Sequence, residues 1–233
     1  AGAMGVELGT FYQFYAEILA RSGKLLARLT EPLQYRLIQN VTLHRPAGYY
    51  APLCDKPGFI AELREFIEEI KRARVQPDVF ASAVMGLGER LQELAAIYAD
   101  YQNWLLKGDD WADAEGQGWL AARALEKHPT LCRDVRLLIV DGFDEFNPTQ
   151  LGVLKALAQR AGETLVTLTG DVSRERPMLR RFIRARDMIT HTLDIAPTSL
   201  STLHSLPGSW PWQHTYESSI PRYVTGSSRP ASR

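Results

Sequence analysis

Arg136-Leu-Leu-Ile-Val-Asp-Gly-Phe-Asp-Glu-Phe-Asn-Pro-Thr-Gln150 is the stretch on which the reading of this chain turns. An apolar run, Leu137 to Val140, delivers a carboxylate, Asp141, to the point where the run stops. Further on, Thr164-Leu-Val-Thr-Leu-Thr-Gly-Asp171 repeats the arrangement and sets Asp171 beyond a second apolar run. In an open α/β sheet, ligands bind outside the carboxyl ends of the strands. Two acidic residues there can hold a Mg²⁺ ion or a water.

Working outward, the order from Pro129 predicts a strand over 135–140, a helix over 148–161, a strand over 164–169, a helix over 177–186 and a strand over 187–193. Alternation of this kind implies α/β architecture with parallel pairing. Upstream the pattern is helical throughout. Phe11, Phe14, Tyr15, Ile18 and Leu19 follow helical spacing from Thr10, a candidate N-cap, to Gly23. Further helices are predicted over Pro32–Leu43, from Pro57, from Gln76-Pro77 to Met85, over Glu89–Leu106 and over Trp111–Glu126. In the helix from Pro57, the stripe of Phe59, Ile60, Leu63, Phe66, Ile67 and Ile70 leaves Glu62, Glu65, Glu68, Glu69 and Lys71 on the other side. Residues 6–9 have the apolar character of a strand end, and the opening Ala1-Gly-Ala-Met-Gly5 reads as a cloning scar. After Pro197 the chain is rich in Ser, Pro and Thr, and its last dozen residues read as disordered.

Composition excludes several classes. Lys+Arg and Asp+Glu balance at 27 each, so any polyanion contact has to come from a local patch. Two distant cysteines, Cys54 and Cys132, make neither a zinc cluster nor a disulfide scaffold and suit a reducing, cytoplasmic setting. No 18-residue apolar run exists, which argues against a membrane span.

Four features carry candidate chemistry. Asp141 has the position of a Walker B carboxylate that places Mg²⁺, but Gly142 stands where the water-activating Glu usually follows. Glu145, four residues on, would have to fold back to substitute. The plain alternative makes Asp141 a helix cap and the acids solvated. Thr169-Gly170-Asp171 is the second feature, with Arg174 three residues past the Asp. A simple turn on Gly170 reads equally well. Third, Arg174, Arg176, Arg180, Arg181, Arg184 and Arg186 cluster on one segment, with Arg180, Arg181 and Arg184 facing outward from Leu179, Phe182 and Ile183. They suit phosphate-backbone contact or a solvated helix face. Fourth are the aromatics. Trp104, Trp111, Trp119, Tyr98 and Tyr101 could stack bases but have core spacing, and Tyr49-Tyr50 lies in a loop. Ser22-Gly23-Lys24 is explained by a helix C-cap. The sequence contains no G-x-x-x-x-G-K-[ST] loop to cradle phosphates.

Gly9-Thr10-Phe11-Tyr12-Gln13-Phe14 is similar to the Thr-Phe-His-x-Phe segment of UvrD/Rep-type superfamily 1 helicases, with Tyr12 in place of the His. An all-helical insertion, the Walker B-like strand and the Gly-Asp pair then follow in that family's order, Arg174 replacing its γ-phosphate-sensing Gln. Leu138-Ile-Val-Asp-Gly-Phe143 with Asn147-Pro148, and Pro57-Gly58-Phe59 opening a helix, more closely resemble the degenerate helicase-like half of AddB-type subunits of bacterial AddAB helicase–nucleases. The resemblance implies a partial RecA-like domain of P-loop NTPase type, over residues 1–9 and 129–197, without its Walker A loop. Residues 10–128 would be a 1B-like all-α insertion and 198–233 a tail. It further implies a DNA-contacting scaffold in double-strand-break repair, without its own ATP hydrolysis, beside a motor/nuclease partner subunit. Thr10, Phe11, Arg180, Arg181 and Arg184 would lie near DNA. Asp141 would lie near Mg²⁺, and Asp141, Glu145, Asp171 and Arg174 near nucleotide, with Mg²⁺ and ATP belonging at most to the parent protein. Two other readings stay open: an active helicase with an upstream Walker A loop, and a protein-interaction module with a vestigial site.

Overall fold

The computed structural model describes residues 5–45, 48–107, 111–169, 179–199 and 222–225. The chain divides into two compact units, Ala1–His128 and Pro129–Arg233. The division falls where the sequence changes from all-helical to alternating.

The first unit contains α1 (Phe11–Arg21), β1 (Ala27–Arg28), α2 (Glu31–Leu43), α3 (Pro57–Arg72), α4 (Pro77–Ala83), α5 (Glu89–Lys107), β2 (Trp111–Ala112) and α6 (Ala114–Lys127). A single 3-10 turn, Ala51–Leu53, interrupts the loop before α3. Pro32, Pro57 and Pro77 each stand in the first helical turn, where a missing N–H leaves no hydrogen bond unmade. α1 ends in a Schellman motif: Gly23, at φ 81°, donates to Ala20 O (3.0 Å), and Lys24 donates to Leu19 O (2.9 Å).

Ile60, Leu63 and Ile67 of α3 meet Leu37 and Ile38 of α2 and Tyr98, Tyr101 and Leu105 of α5 in one apolar core. α1 packs on α6, burying Phe11, Tyr15, Ile18 and Leu19 on one side and Ala121, Ala122 and Leu125 on the other. Lys71 overturns its expected place among the solvated positions of α3: it is 0% exposed. Counting in fours from Leu63 through Ile67 brings position 71 onto the buried face, so the ammonium lies inside the core. Its charge is met by Asp113, whose carboxylate oxygens lie 2.8 and 2.7 Å from Nζ.

Two local expectations need correction. Residues 6–10 form no strand. Trp111 and Ala112, read as the start of a helix, instead form β2, paired in parallel with β1 (Ala27 opposite Trp111). The helix begins only after Asp113, whose Oδ1 caps it by accepting from Gly116 N at 2.6 Å.

The second unit contains β3 (Leu137–Val140), α7 (Pro148–Ala158), β4 (Glu163–Thr169), α8 (Arg180–Leu193), β5 (Pro197–Ser199) and β6 (Arg222–Thr225). β3 and β4 are adjacent and parallel, with Val140 opposite Val166. The sheet order is β3-β4-β6-β5, and β6 runs antiparallel to both of its neighbours. α8 packs against α7 and β4. Residues 187–193, expected as a third strand, are instead the second half of α8. Ala185 and Ile189 carry that helix's buried face one turn further, which the β-branched Ile189-Thr190 and Thr192 concealed. The third partner of the sheet is β6, inside the segment read as disordered. Along β3 and β4, Val140, Thr164, Val166 and Leu168 are buried, whereas Leu137 and Ile139 on the alternate face are 51% and 55% exposed.

Asp113→Ala leaves the Lys71 ammonium buried and unpaired and also removes the cap of α6. Urea denaturation of the chain should show a loss of about 3–5 kcal/mol in unfolding free energy. Alkali should act through the buried phenols. Burial, reinforced by the hydrogen bond it donates to Glu115, pushes Tyr12 up to about 12, and Tyr15, Tyr98 and Tyr101 are raised by burial too. Because its folded value is raised, the contribution of Tyr12 to stability is complete below about pH 10 and is lost as pH climbs through about 12. Phenolate absorbance and helical circular dichroism, followed together, should then change in one transition.

Candidate functional site

The carboxyl end of β3 opens into a crevice of about 330 Å³ lined by Asp141, Gly142, Phe143, Asp144, Thr167, Leu168 and Phe182. Strand alternation makes it. The register that sets Val140 opposite Val166 brings Asp141 level with Thr167, and the Thr167 hydroxyl donates to Asp141 Oδ1. Gly142 then turns the chain at φ 81°, a conformation that any other residue would adopt only under strain. Phe146, 3% exposed, anchors the following loop, with its ring centroid 5.7 Å from that of Phe143. This anchoring leaves Asp144 lining the crevice, while Glu145 is exposed and outside it. α7 starts at Pro148 with a capping box. Asn147 Oδ1 accepts from Gln150 N and Gln150 Oε1 accepts from Asn147 N, each at 2.9 Å. Asn147, not Asp141, therefore caps α7, and the alternative reading of Asp141 as a helix cap falls.

The structure brings Arg181 of α8 to the same place. Its Nε lies 3.0 Å from Asp144 Oδ2, and its guanidinium lies 5.0 Å from the Phe182 ring centroid. Arg180, Arg181 and Arg184 are all exposed. Asp171 and Arg174 lie outside the described residues; β4 leads toward them in the same direction as β3 leads to Asp141. In the first unit, Thr10 is exposed at the start of α1, but Phe11 is turned into the core. Of the tyrosine pair, Tyr49 stays at the surface at 57% exposure, while Tyr50 lies half-buried with its ring centroid 4.9 Å from that of Phe59.

As a cation site the crevice is sparse. Among the described residues no three His, Cys, Asp or Glu side chains gather to ligate a metal. Asp141 and the Thr167 hydroxyl supply one carboxylate and one neutral oxygen. Mg²⁺ is commonly held by one or two carboxylates together with substrate phosphates, and the sequence has no loop of the G-x-x-x-x-G-K-[ST] type to bring such phosphates in. The described residues that line the crevice do not by themselves fit a Mg²⁺–nucleotide complex.

Two polar groupings escaped the sequence reading. Thr167 was hidden because its role depends on strand register. The buried set around Asp113 takes in Lys71, Tyr101, whose hydroxyl donates to Asp113 at 2.7 Å, and Glu115, which accepts from Tyr12 at 2.8 Å and Arg72 at 3.3 Å. An Asp just before a helical run was the available signal for it.

A family described as ADDB, N-terminal matches residues 37–204. The chain belongs to it. Similar proteins include the B-type subunit of an ATP-dependent helicase/deoxyribonuclease from Thermoanaerobacter pseudethanolicus, 35% identical over 146 residues, covering 60% of this chain and 12% of that protein. Proteins of the same description from Caldanaerobacter subterraneus subsp. tengcongensis and Moorella thermoacetica are each 33% identical, over 129 and 146 residues. These cover 53% and 56% of this chain and 11% and 12% of the relatives. The chain thus spans about a tenth of the length of the curated relatives it matches. No helix among the described residues is long and apolar enough to cross a membrane.

Gly142→Ala should destabilise the second unit by about 1 kcal/mol. No atom lies within 4 Å of the added methyl, so the backbone conformation alone is at issue. Thermal melting of this variant beside Gly58→Ala, an open helical position, isolates the effect.

Proposed function

We propose that this chain is the helicase-like part of a subunit of a bacterial DNA double-strand-break repair helicase–nuclease, and that it works as a DNA-contacting scaffold. On this reading β3, α7 and β4 belong to a RecA-like domain, and residues 10–128 form a 1B-like insertion within it. The observation that carries the reading is the exposed row of Arg180, Arg181 and Arg184 on α8, beside the acidic crevice, in a chain of the AddB family. Guanidinium groups spaced along one helix suit the phosphates of a strand and give salt-sensitive affinity with little sequence choice.

The crevice supports a scaffold role more than a motor role. Asp144 is engaged by Arg181, Glu145 lies outside the crevice, and Gly142 occupies the place of a water-activating acid. Where the longer protein uses Mg²⁺ and ATP, Asp141 is the carboxylate that would face them, and phosphate-binding groups would have to come from elsewhere. The expected partner is a motor/nuclease subunit, in keeping with the helicase and deoxyribonuclease activities in the relatives' names.

Fluorescence anisotropy with a labelled single-stranded oligonucleotide at two salt concentrations tests this. Changing Arg180, Arg181 and Arg184 together to Glu should weaken binding at least about tenfold and reduce the salt dependence by about 2 in log–log slope. The melting temperature should stay nearly unchanged, because the Arg181–Asp144 pair is solvent-screened. Absence of binding at low salt, or ATP turnover by the purified chain, would sink the reading.

A further inference from the structure

The helical unit contains a larger cleft, of about 620 Å³, that the crevice at Asp141 does not use. The end of α3, the start of α4, the end of α5, β2 and α6 surround it. Its floor is closed to ligands. Lys71 already has both oxygens of Asp113 and Gln102 Oε1 at 3.0 Å. The Trp119 ring over it is held by the hydrogen bond from Nε1 to Lys71 O at 3.0 Å. The charges and hydrogen bonds of the floor are thereby satisfied from within the protein.

The rim differs. Lys24, Arg74 and Arg123 line it, all three are exposed, and none has an ion pair or hydrogen bond through its side chain among the described residues. Among the described residues two carboxylates, Asp78 and Glu126, also line the cleft, so with the three rim cations the described lining is net positive. Trp111, 38% exposed, offers part of its ring. Arg74 is the sharpest feature. α3 ends in the same Schellman motif as α1, with Arg74 N donating to Lys71 O (3.0 Å) and Val75 N to Ile70 O (3.1 Å). The left-handed position that Gly23 fills in α1 is here filled by Arg74 at φ 58°. Glycine is the unstrained choice there; with Arg74 in its place the turn puts a cation on the rim of the cleft.

We propose that this cleft binds a nucleotide unit of single-stranded nucleic acid, with the base against Trp111 and the phosphates on Lys24, Arg74 and Arg123. An exposed indole beside unpaired cations is the arrangement that takes a strand without regard to sequence, since every base has a stacking face and every nucleotide a phosphate. The cleft volume falls within the range of about 300–1,000 Å³ that encloses small organic ligands. The proposal rests on the DNA-contacting reading above and deepens it, by giving the helical unit its own strand-binding site.

The test uses the whole 233-residue chain and a labelled oligothymidylate containing 5-iododeoxyuridine. Irradiation followed by peptide mapping should place the principal crosslink at Trp111. Lys24→Glu, Arg74→Glu and Arg123→Glu combined should weaken binding at least about tenfold and lower the salt slope by about 2. Trp111→Ala should weaken binding at least about fivefold, the lower end of a single lost base stack. ATP and inorganic phosphate serve as competitors; tight competition by ATP with no oligonucleotide binding would overturn the strand proposal in favour of a free-nucleotide site. Crosslinks only to the second unit, with native affinity in the cleft variants, would overturn it while leaving the DNA-contacting role intact. Binding of no oligonucleotide by the native chain would remove both. If a variant fails to fold, crosslink mapping on the native protein decides alone.

Discussion

The helical unit is organised around the carboxylate of Asp113. Lys71, Tyr101 and the Gly116 amide all donate to it, so one buried side chain ties α3, α5 and the first turn of α6 together. Such a pair adds little net stability over an apolar core, because both charges have been taken out of water. What it opposes is any rearrangement that keeps Lys71 buried but parts it from Asp113, which would leave an ammonium without its partner. Gly116 belongs to the same constraint. A Cβ there would lie 2.7 Å from Asp113 Oδ1 and 3.4 Å from Lys71 Nζ, so the absence of a side chain leaves room for the capping carboxylate and the ammonium beside it.

That core also frames the outward features of the unit. The Lys71 main-chain carbonyl holds the Trp119 indole, and the turn after Lys71 sets Arg74 in its left-handed conformation. The interior charge and the exposed cations thus follow from the same few residues at the end of α3. In the second unit the counterpart is strand register. One pairing, Val140 opposite Val166, decides that Asp141 meets Thr167.

What the sequence disclosed and what it hid divide along physical lines. Local signals were legible. Prolines in first turns and the Gly23 C-cap announce helix ends within a few residues of chain. The apolar runs at 137–140 and 164–169 announced two strands, and their parallel pairing followed from the alternation with helices. Distant partnerships were not legible. Lys71 resembles any solvated lysine until Asp113 is brought beside it, β1 and β2 are two residues each, and β6 joins β4 across more than fifty residues of chain. The segment 187–193 was ambiguous because Ile and Thr favour strands, and only its packing on β4 and α7 made it helix. For the crevice, the position of Asp141 was readable from sequence, whereas the engagement of Asp144 by Arg181 depends on how α8 folds back on the sheet.

β3 forms one end of the sheet among the described residues, and its outer face shows Leu137 and Ile139 to solvent. A strand with unpaired amide and carbonyl groups along one side and aliphatic side chains on one face is a template for another strand. Neither a charge nor a proline within Leu137–Val140 blunts it. Among the described residues β3 therefore offers an edge to which a further strand can add.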